Sequence, residues 1–176
     1  MKKLFAIAVA ASLFSGLYAA SIGLGVQYTI SEPAGYMADD TLNFSYPSIV
    51  LDVMVPIIPV LAARMGIVEY NIISEDDGGA SYAFGTGVYG DICFMIPMQM
   101  PLKPYIPIGF TYGGAEGAGS EMHLKGGVGG MMDFGGASGY LEGGVKHVTW
   151  SPEEGDSDNG LYFYVQGGVR VHIPSM

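Results

Sequence analysis

The chain is poor in basic residues, in cysteine and in long apolar runs, and each shortage removes a class of protein. Seven Lys and Arg stand against seventeen Asp and Glu, a formal charge of −10. That balance argues against nucleic-acid binding, which needs a cationic surface to neutralise phosphates. The single cysteine, Cys93, excludes an intrachain disulfide framework. Hydrophobic residues make up 49% of the chain and mean hydropathy is +0.34. Beyond residue 20, however, no segment offers the roughly 20 uninterrupted apolar residues that a membrane-spanning helix requires. The closed β-barrel is the other structure that satisfies every backbone polar group in lipid. The 28 glycines agree with it, because glycine disfavours helix and suits a crowded barrel interior.

At the N-terminus, Lys2 and Lys3 precede an apolar run from Leu4 to Leu17 and the small-residue stretch Tyr18-Ala19-Ala20. This order of charge, short apolar core and small residues reads as a secretory signal peptide over 1–20. No cysteine stands at position 21 to carry a lipid anchor. The expected mature chain, 21–176, is one domain whose basic residues are Arg64, Lys103, Lys125, Lys146 and Arg170.

Eight segments of that chain alternate with period two, which sets one face toward lipid and the other toward a lumen. In the first, Ile22, Leu24, Val26, Tyr28 and Ile30 alternate with Gly23, Gly25, Gln27 and Thr29. The second, 46–55, turns Ile49, Leu51, Val53 and Val55 outward and Asp52 inward; the third, 60–72, puts Arg64 inside. The fourth, 80–94, faces Tyr89 and Asp91 inward, with Cys93 as a buried, inert small side chain. The fifth, 102–112, and sixth, 123–134, turn Lys103, Tyr105, Lys125 and Asp133 inward. The seventh, about 140–150, brings in Glu142 and Lys146, and the eighth, 161–173, brings in Tyr164, Gln166 and Arg170. All five basic residues thus fall on the inward face.

The fold class predicted is an all-β, eight-stranded, antiparallel up-and-down transmembrane barrel. Its connections alternate between short turns at 56–59, 95–101 and 135–138 and longer, polar loops at 31–45, 73–79, 113–122 and 151–160. Short periplasmic turns and long extracellular loops are the asymmetry such barrels show. A hairpin turn centred near Ile58 would place Asp52 opposite Arg64. Turns centred near Pro97 and Asp156 would place Asp91 opposite Lys103 and Glu142 opposite Arg170. Three pairs bridging adjacent strands would close the lumen, since buried charges are tolerated when paired and hydrogen-bonded. A solvated channel wall carrying mixed charge is the alternative.

The remaining carboxylates cluster on the loops: Asp39 and Asp40; Glu75, Asp76 and Asp77; Glu116 and Glu121; and Glu153, Glu154, Asp156 and Asp158. A solvated acidic rim is their plain reading, and divalent-cation bridging to anionic lipopolysaccharide is the sharper one. Asp156-Ser157-Asp158-Asn159-Gly160 lacks the remaining spacing of a calcium loop. Glycine pairs such as Gly85-Thr86-Gly87 lie within strands, so a dinucleotide reading fails, and no metal or cofactor is expected.

Three patterns carry a family resemblance: Lys103-Pro104-Tyr105-Ile106-Pro107-Ile108-Gly109-Phe110, Lys125-Gly126-Gly127-Val128-Gly129-Gly130, and Tyr140-Leu141-Glu142-Gly143-Gly144. With them the chain resembles the small OmpA-like outer-membrane β-barrels, including OmpX- and OprF-type barrel domains, over essentially all of 21–176. The resemblance implies an integral outer-membrane protein serving envelope integrity, adhesion or minor permeability. Its implied partners are outer-membrane lipid and lipopolysaccharide, the barrel-assembly machinery and possible extracellular ligands. The chain departs from the family where Ile173-Pro174-Ser175-Met176 replaces a terminal aromatic residue.

An enzymatic rival starts from His147 and Thr149, which share the outward face of the seventh segment. PagL-type lipid A deacylases are also eight-stranded barrels with a histidine and, two residues later, a serine facing lipid. Here threonine replaces the serine, Trp150 replaces the following asparagine, and Leu161 stands where an orienting glutamate is expected. Without that third group the imidazole tautomer is not fixed, and the three residues read as interfacial girdle. The sequence therefore predicts a structural or surface-interaction barrel with no catalytic residues.

Overall fold

The computed structural model describes residues 20–31, 44–76, 79–115, 119–151 and 157–173. Eight antiparallel strands close into a barrel in sequence order: β1 (Ser21–Ser31), β2 (Phe44–Ile58), β3 (Leu61–Asp76), β4 (Gly79–Met95), β5 (Leu102–Ala115), β6 (Gly119–Asp133), β7 (Ala137–Ser151) and β8 (Asp158–His172). The expected signal peptide lies outside the described residues. Each strand exceeds or meets the roughly 9–11 residues that cross a bilayer at a tilt, and the shortest, β1, has 11.

Alternation decides which face each side chain takes. Along β1, Ile22, Leu24, Val26 and Tyr28 are exposed while Ser21, Gly23, Gly25 and Gln27 are buried. The same rhythm gives the outer wall a continuous apolar band that includes Leu51, Ile108, Leu141 and Val169. Apolar side chains displayed this widely on the convex face, around a lumen that is polar and charged, invert the pattern of a water-soluble protein. Val55 departs from the expected alternation, being buried at 6% exposure despite its outward position in the count.

Closure is staggered. Following hydrogen-bonded partners around the wall from Ser21 leads to Met54, Arg64, Asp91, Gly109, Lys125, Lys146, Tyr162 and back to β1 at Ser31. The row returns to its starting strand displaced from Ser21 to Ser31, which is the shear that fixes strand tilt and barrel width. The four charged lumen side chains on this spiral, Arg64, Asp91, Lys125 and Lys146, are consecutive neighbours or separated by Gly109 alone.

The register corrects all three expected hairpin pairs. Asp52 lies opposite Gly66, and Arg64 opposite Met54. Asp91 faces Gly109 on β5, and Lys103 faces Met131 on β6. Glu142 faces Gln166, and Arg170 faces Ser138. The error has a physical source in the connections. The β2–β3 turn sits at 59–60 rather than around Ile58, with an irregularity between Pro56 and Ile58. The β4–β5 connection reaches Pro101, so its midpoint lies beyond Pro97. The strands also run further than expected: most of 73–79 belongs to a β3–β4 ladder that continues to Asp76 opposite Gly79.

Candidate functional site

The middle of the lumen is occupied by ionised and phenolic side chains that are almost completely buried. Arg64, Arg170, Asp52 and Glu142 each expose 2% or less, and Asp91, Lys125 and Lys146 remain buried beside them. Arg64 holds the centre. Its Nε donates to Asp91 Oδ2 at 2.8 Å, reinforced by Nη2 on the same oxygen. Nη1 and Nη2 donate across the lumen to Glu142 Oε2 and Oε1 at 2.8 and 2.9 Å. Arg170 forms a second fork, with Nη1 and Nη2 on Asp52 Oδ1 and Oδ2 at 2.5 and 3.0 Å. Lys125 Nζ approaches Asp91 Oδ2 at 3.1 Å. Parallel charge-assisted bonds of this kind hold geometry as well as charge.

Glycine makes these contacts possible. Asp52 and Arg170 are on β2 and β8, and the residue between them in the wall is Gly23 of β1. A Cβ on Gly23 would come within 2.8 Å of Asp52 Oδ1 and 3.1 Å of Arg170 Nη1. Gly109 likewise separates Asp91 from Lys125, and a Cβ there would fall on the Asp91 carboxylate. Tyr89 reaches Asp52 Oδ2 at 2.6 Å over Gly66, and Tyr105 reaches Glu142 Oε2 at 2.8 Å over Gly129. In each case a side chain lies flat across a strand whose inward residue has no Cβ to obstruct it.

Aromatic rings wrap the cations. The Lys125 ammonium lies 4.8 Å from the Tyr89 ring centre and 5.6 Å from that of Tyr164, and the Arg170 guanidinium carbon lies 4.7 Å from that of Tyr140. Such contacts add attraction where water is excluded. Toward the loop end, Lys146 donates to Thr29 Oγ1 at 2.6 Å and Gln27 Oε1 at 3.4 Å. Gln27 Nε2 donates to Gln166 Oε1 at 2.8 Å, and Gln166 Nε2 to the Tyr140 hydroxyl at 3.1 Å. His123 Nε2 lies 2.8 Å from Glu121 Oε2 on the same strand.

Seven of the nine charges expected in the lumen therefore meet there: Asp52, Arg64, Asp91, Lys125, Glu142, Lys146 and Arg170. Lys103 and Asp133 pair with each other instead, at the short-turn mouth where both side chains are substantially exposed. The sequence reading gave no role to Tyr89, Tyr105, Tyr140 and Tyr164 or to Gln27 and Gln166. Their signal was inward alternation opposite or beside glycine, which periodicity records without saying what a side chain reaches.

Of the acidic loop residues, Glu75 and Asp76 lie at the end of β3 and Asp158 begins β8, which puts all three at the loop end of the barrel. Asp39, Asp40, Asp77, Glu116, Glu153, Glu154 and Asp156 lie outside the described residues. On the outer wall His147 is exposed, but its partner on β8 is Leu161, and that of Thr149 is Asn159. No carboxylate is supplied to the imidazole from the neighbouring strand at that level.

Closed eight-stranded wall, apolar exterior and charged, filled interior together define the architecture of a small transmembrane β-barrel. Solved structures share it, among them the following two. Neisserial surface protein A, seen by crystallography, superposes with a TM-score of 0.58 at 12% identity, covering 87% of this chain and 95% of its own. Outer membrane protein H of P. aeruginosa, solved in solution in DHPC micelles, gives a TM-score of 0.53 at 13% identity over 89% of this chain and 100% of its own. At that identity the likeness is one of fold. No protein-family model matches the chain, and no curated protein sequence does.

Proposed function

We propose that this chain is an integral outer-membrane barrel with a structural or surface-interaction role, its lumen closed by the Arg64 and Arg170 networks. In this reading residues 1–20 direct secretion and are removed, and residues 21–176 are received by the barrel-assembly machinery. The outer wall contacts lipid and lipopolysaccharide, and the acidic loop end is presented to extracellular ligands. The observation that carries the reading is the near-zero exposure of Arg64, Arg170, Asp52 and Glu142 at mid-lumen. An aqueous pore would leave such groups solvated. Here Arg64 and Glu142 neutralise each other across its width, from β3 to β7, while Arg170 and Asp52 pair along the wall over β1.

Conductance of the purified barrel in planar lipid bilayers tests this. The wild-type chain is expected to give no discrete current steps, whereas Arg64→Ala combined with Arg170→Ala removes both plugs and is expected to admit small ions. Steady unitary currents from the wild-type barrel would replace this reading with that of a narrow channel.

A further inference from the structure

Between the mid-lumen polar network and the short turns the lumen floor is a cluster rich in sulfur. Met54, Cys93 and Met131 belong to one buried cluster with Ala62, Tyr105 and Tyr140, and Met95 packs against it. Below the cluster lies a cavity of about 730 Å³, walled by the β2–β3 and β4–β5 connections. Met54, Met95, Met131, Met98 and His172 all line it. The three lumen methionines come from β2, β4 and β6. These are alternate strands of the wall, so the three residues border one cavity from different sides.

From this convergence the geometry points to a site for a soft monovalent metal ion, copper(I) or silver(I), held by the thioethers of Met54, Met95 and Met131. Thioether sulfur is a soft, neutral donor that selects copper(I) over hard and borderline cations. Among the described residues no group of three or more His, Cys, Asp or Glu side chains could hold a metal, so hard-metal competition at this floor is weak. Lys103, which lines the cavity, is neutralised by Asp133, and Arg170 by Asp52, and the cavity supplies an entry path from the turn side. Cys93 is fully buried and lies one lumen position from Met95 along β4, which makes it a neighbour of the site rather than its anchor. Leucine would fill the floor equally well as packing. What distinguishes the methionines is that three of them, from three alternate strands, border the same cavity.

Binding of silver(I) to the purified, detergent-folded barrel tests the site, read by titration calorimetry and native mass spectrometry. One ion per chain is expected, and its affinity should be nearly unchanged between neutral and mildly acidic pH, because thioethers carry no proton to displace. Replacing Met54, Met95 and Met131 together by Leu, a near-isosteric change that cores tolerate, should weaken binding at least tenfold while heat-modifiable gel migration still reports a closed barrel. If the triple variant does not close, Met95→Leu alone, at the less buried edge of the cluster, should still weaken binding severalfold. Cys93→Ala and the outward-facing pair Met65→Leu and Met132→Leu should leave affinity unchanged. Absence of a bound ion, unchanged affinity in the leucine variants, or loss of binding in Cys93→Ala alone would each overturn the assignment.

Discussion

Asp52 and Arg170 form a bidentate ion pair although they lie on β2 and β8, strands that are not paired in the sheet. Gly23 on the intervening β1 has nothing to place between them. The same skip over a glycine joins Asp91 to Lys125, Tyr89 to Asp52 and Tyr105 to Glu142. At these four contacts the lumen is knitted one strand beyond the backbone ladder. These four side-chain bonds tie second neighbours together, where hydrogen bonds of the sheet tie first neighbours.

Inward glycines should therefore resist substitution far more than outward ones. Gly109→Ala would push a methyl onto Asp91 and the Gly90 carbonyl, and overpacking of this kind costs about 1–3 kcal/mol. Gly126 faces out with nothing within 4 Å of an added Cβ, and Gly126→Ala should be neutral or stabilising by up to about 1 kcal/mol. Urea unfolding in detergent or lipid vesicles, followed by gel mobility, separates the two.

Arg64 and Lys103 should differ sharply despite both making ion pairs. Arg64→Ala takes the guanidinium from two buried carboxylates, leaving Glu142 without its ion-pair partner and Asp91 with Lys125 alone, and breaking a buried network by removing one partner costs about 3–5 kcal/mol. Lys103→Ala removes an exposed rim pair with Asp133, which is worth at most about 1 kcal/mol. Equal effects in equilibrium unfolding would contradict the placement of the two residues.

Removing single hydroxyls should sort the lumen tyrosines. Tyr89→Phe and Tyr105→Phe each delete a donor to a buried carboxylate, a loss of about 1.5–3 kcal/mol. The Tyr164 hydroxyl has no hydrogen-bond partner among the described residues, while its ring faces Lys125. Tyr164→Phe keeps the ring and discards the unsatisfied group, so stability should hold or rise by about 1 kcal/mol.

On the outer wall, His147→Ala should leave the acylation pattern of lipid A unchanged in cells overproducing the protein. Leu161, opposite His147, offers no carboxylate to fix the imidazole for base catalysis. Mass spectra of extracted lipid A that lose an acyl chain with the wild type and regain it with the variant would establish the deacylase instead.

The amino-acid sequence by itself determined the class of fold and the facing of nearly every strand residue. Alternation in stretches such as Ile22 to Ile30 is a local property, because successive side chains of an extended backbone point to opposite faces whatever the strand pairs with. That is why Asp52, Arg64, Asp91, Lys125, Glu142, Lys146 and Arg170 could be assigned to the lumen from one chain of letters.

Only the tertiary structure decided which of these charges meet. Partnership depends on register and shear, and these come from closing all eight strands at once. A small displacement in one turn, as at Pro56 to Ile58, moves Arg64 from Asp52 to Met54. Closure also curls the sheet until β3 faces β7, which lets Arg64 grip Glu142 across the interior. Finally, glycine carries its structural information as a missing atom. Gly23, Gly66, Gly109 and Gly129 read in the sequence as residues suited to a crowded interior, and only the folded wall reveals them as the gaps through which the lumen bonds itself shut.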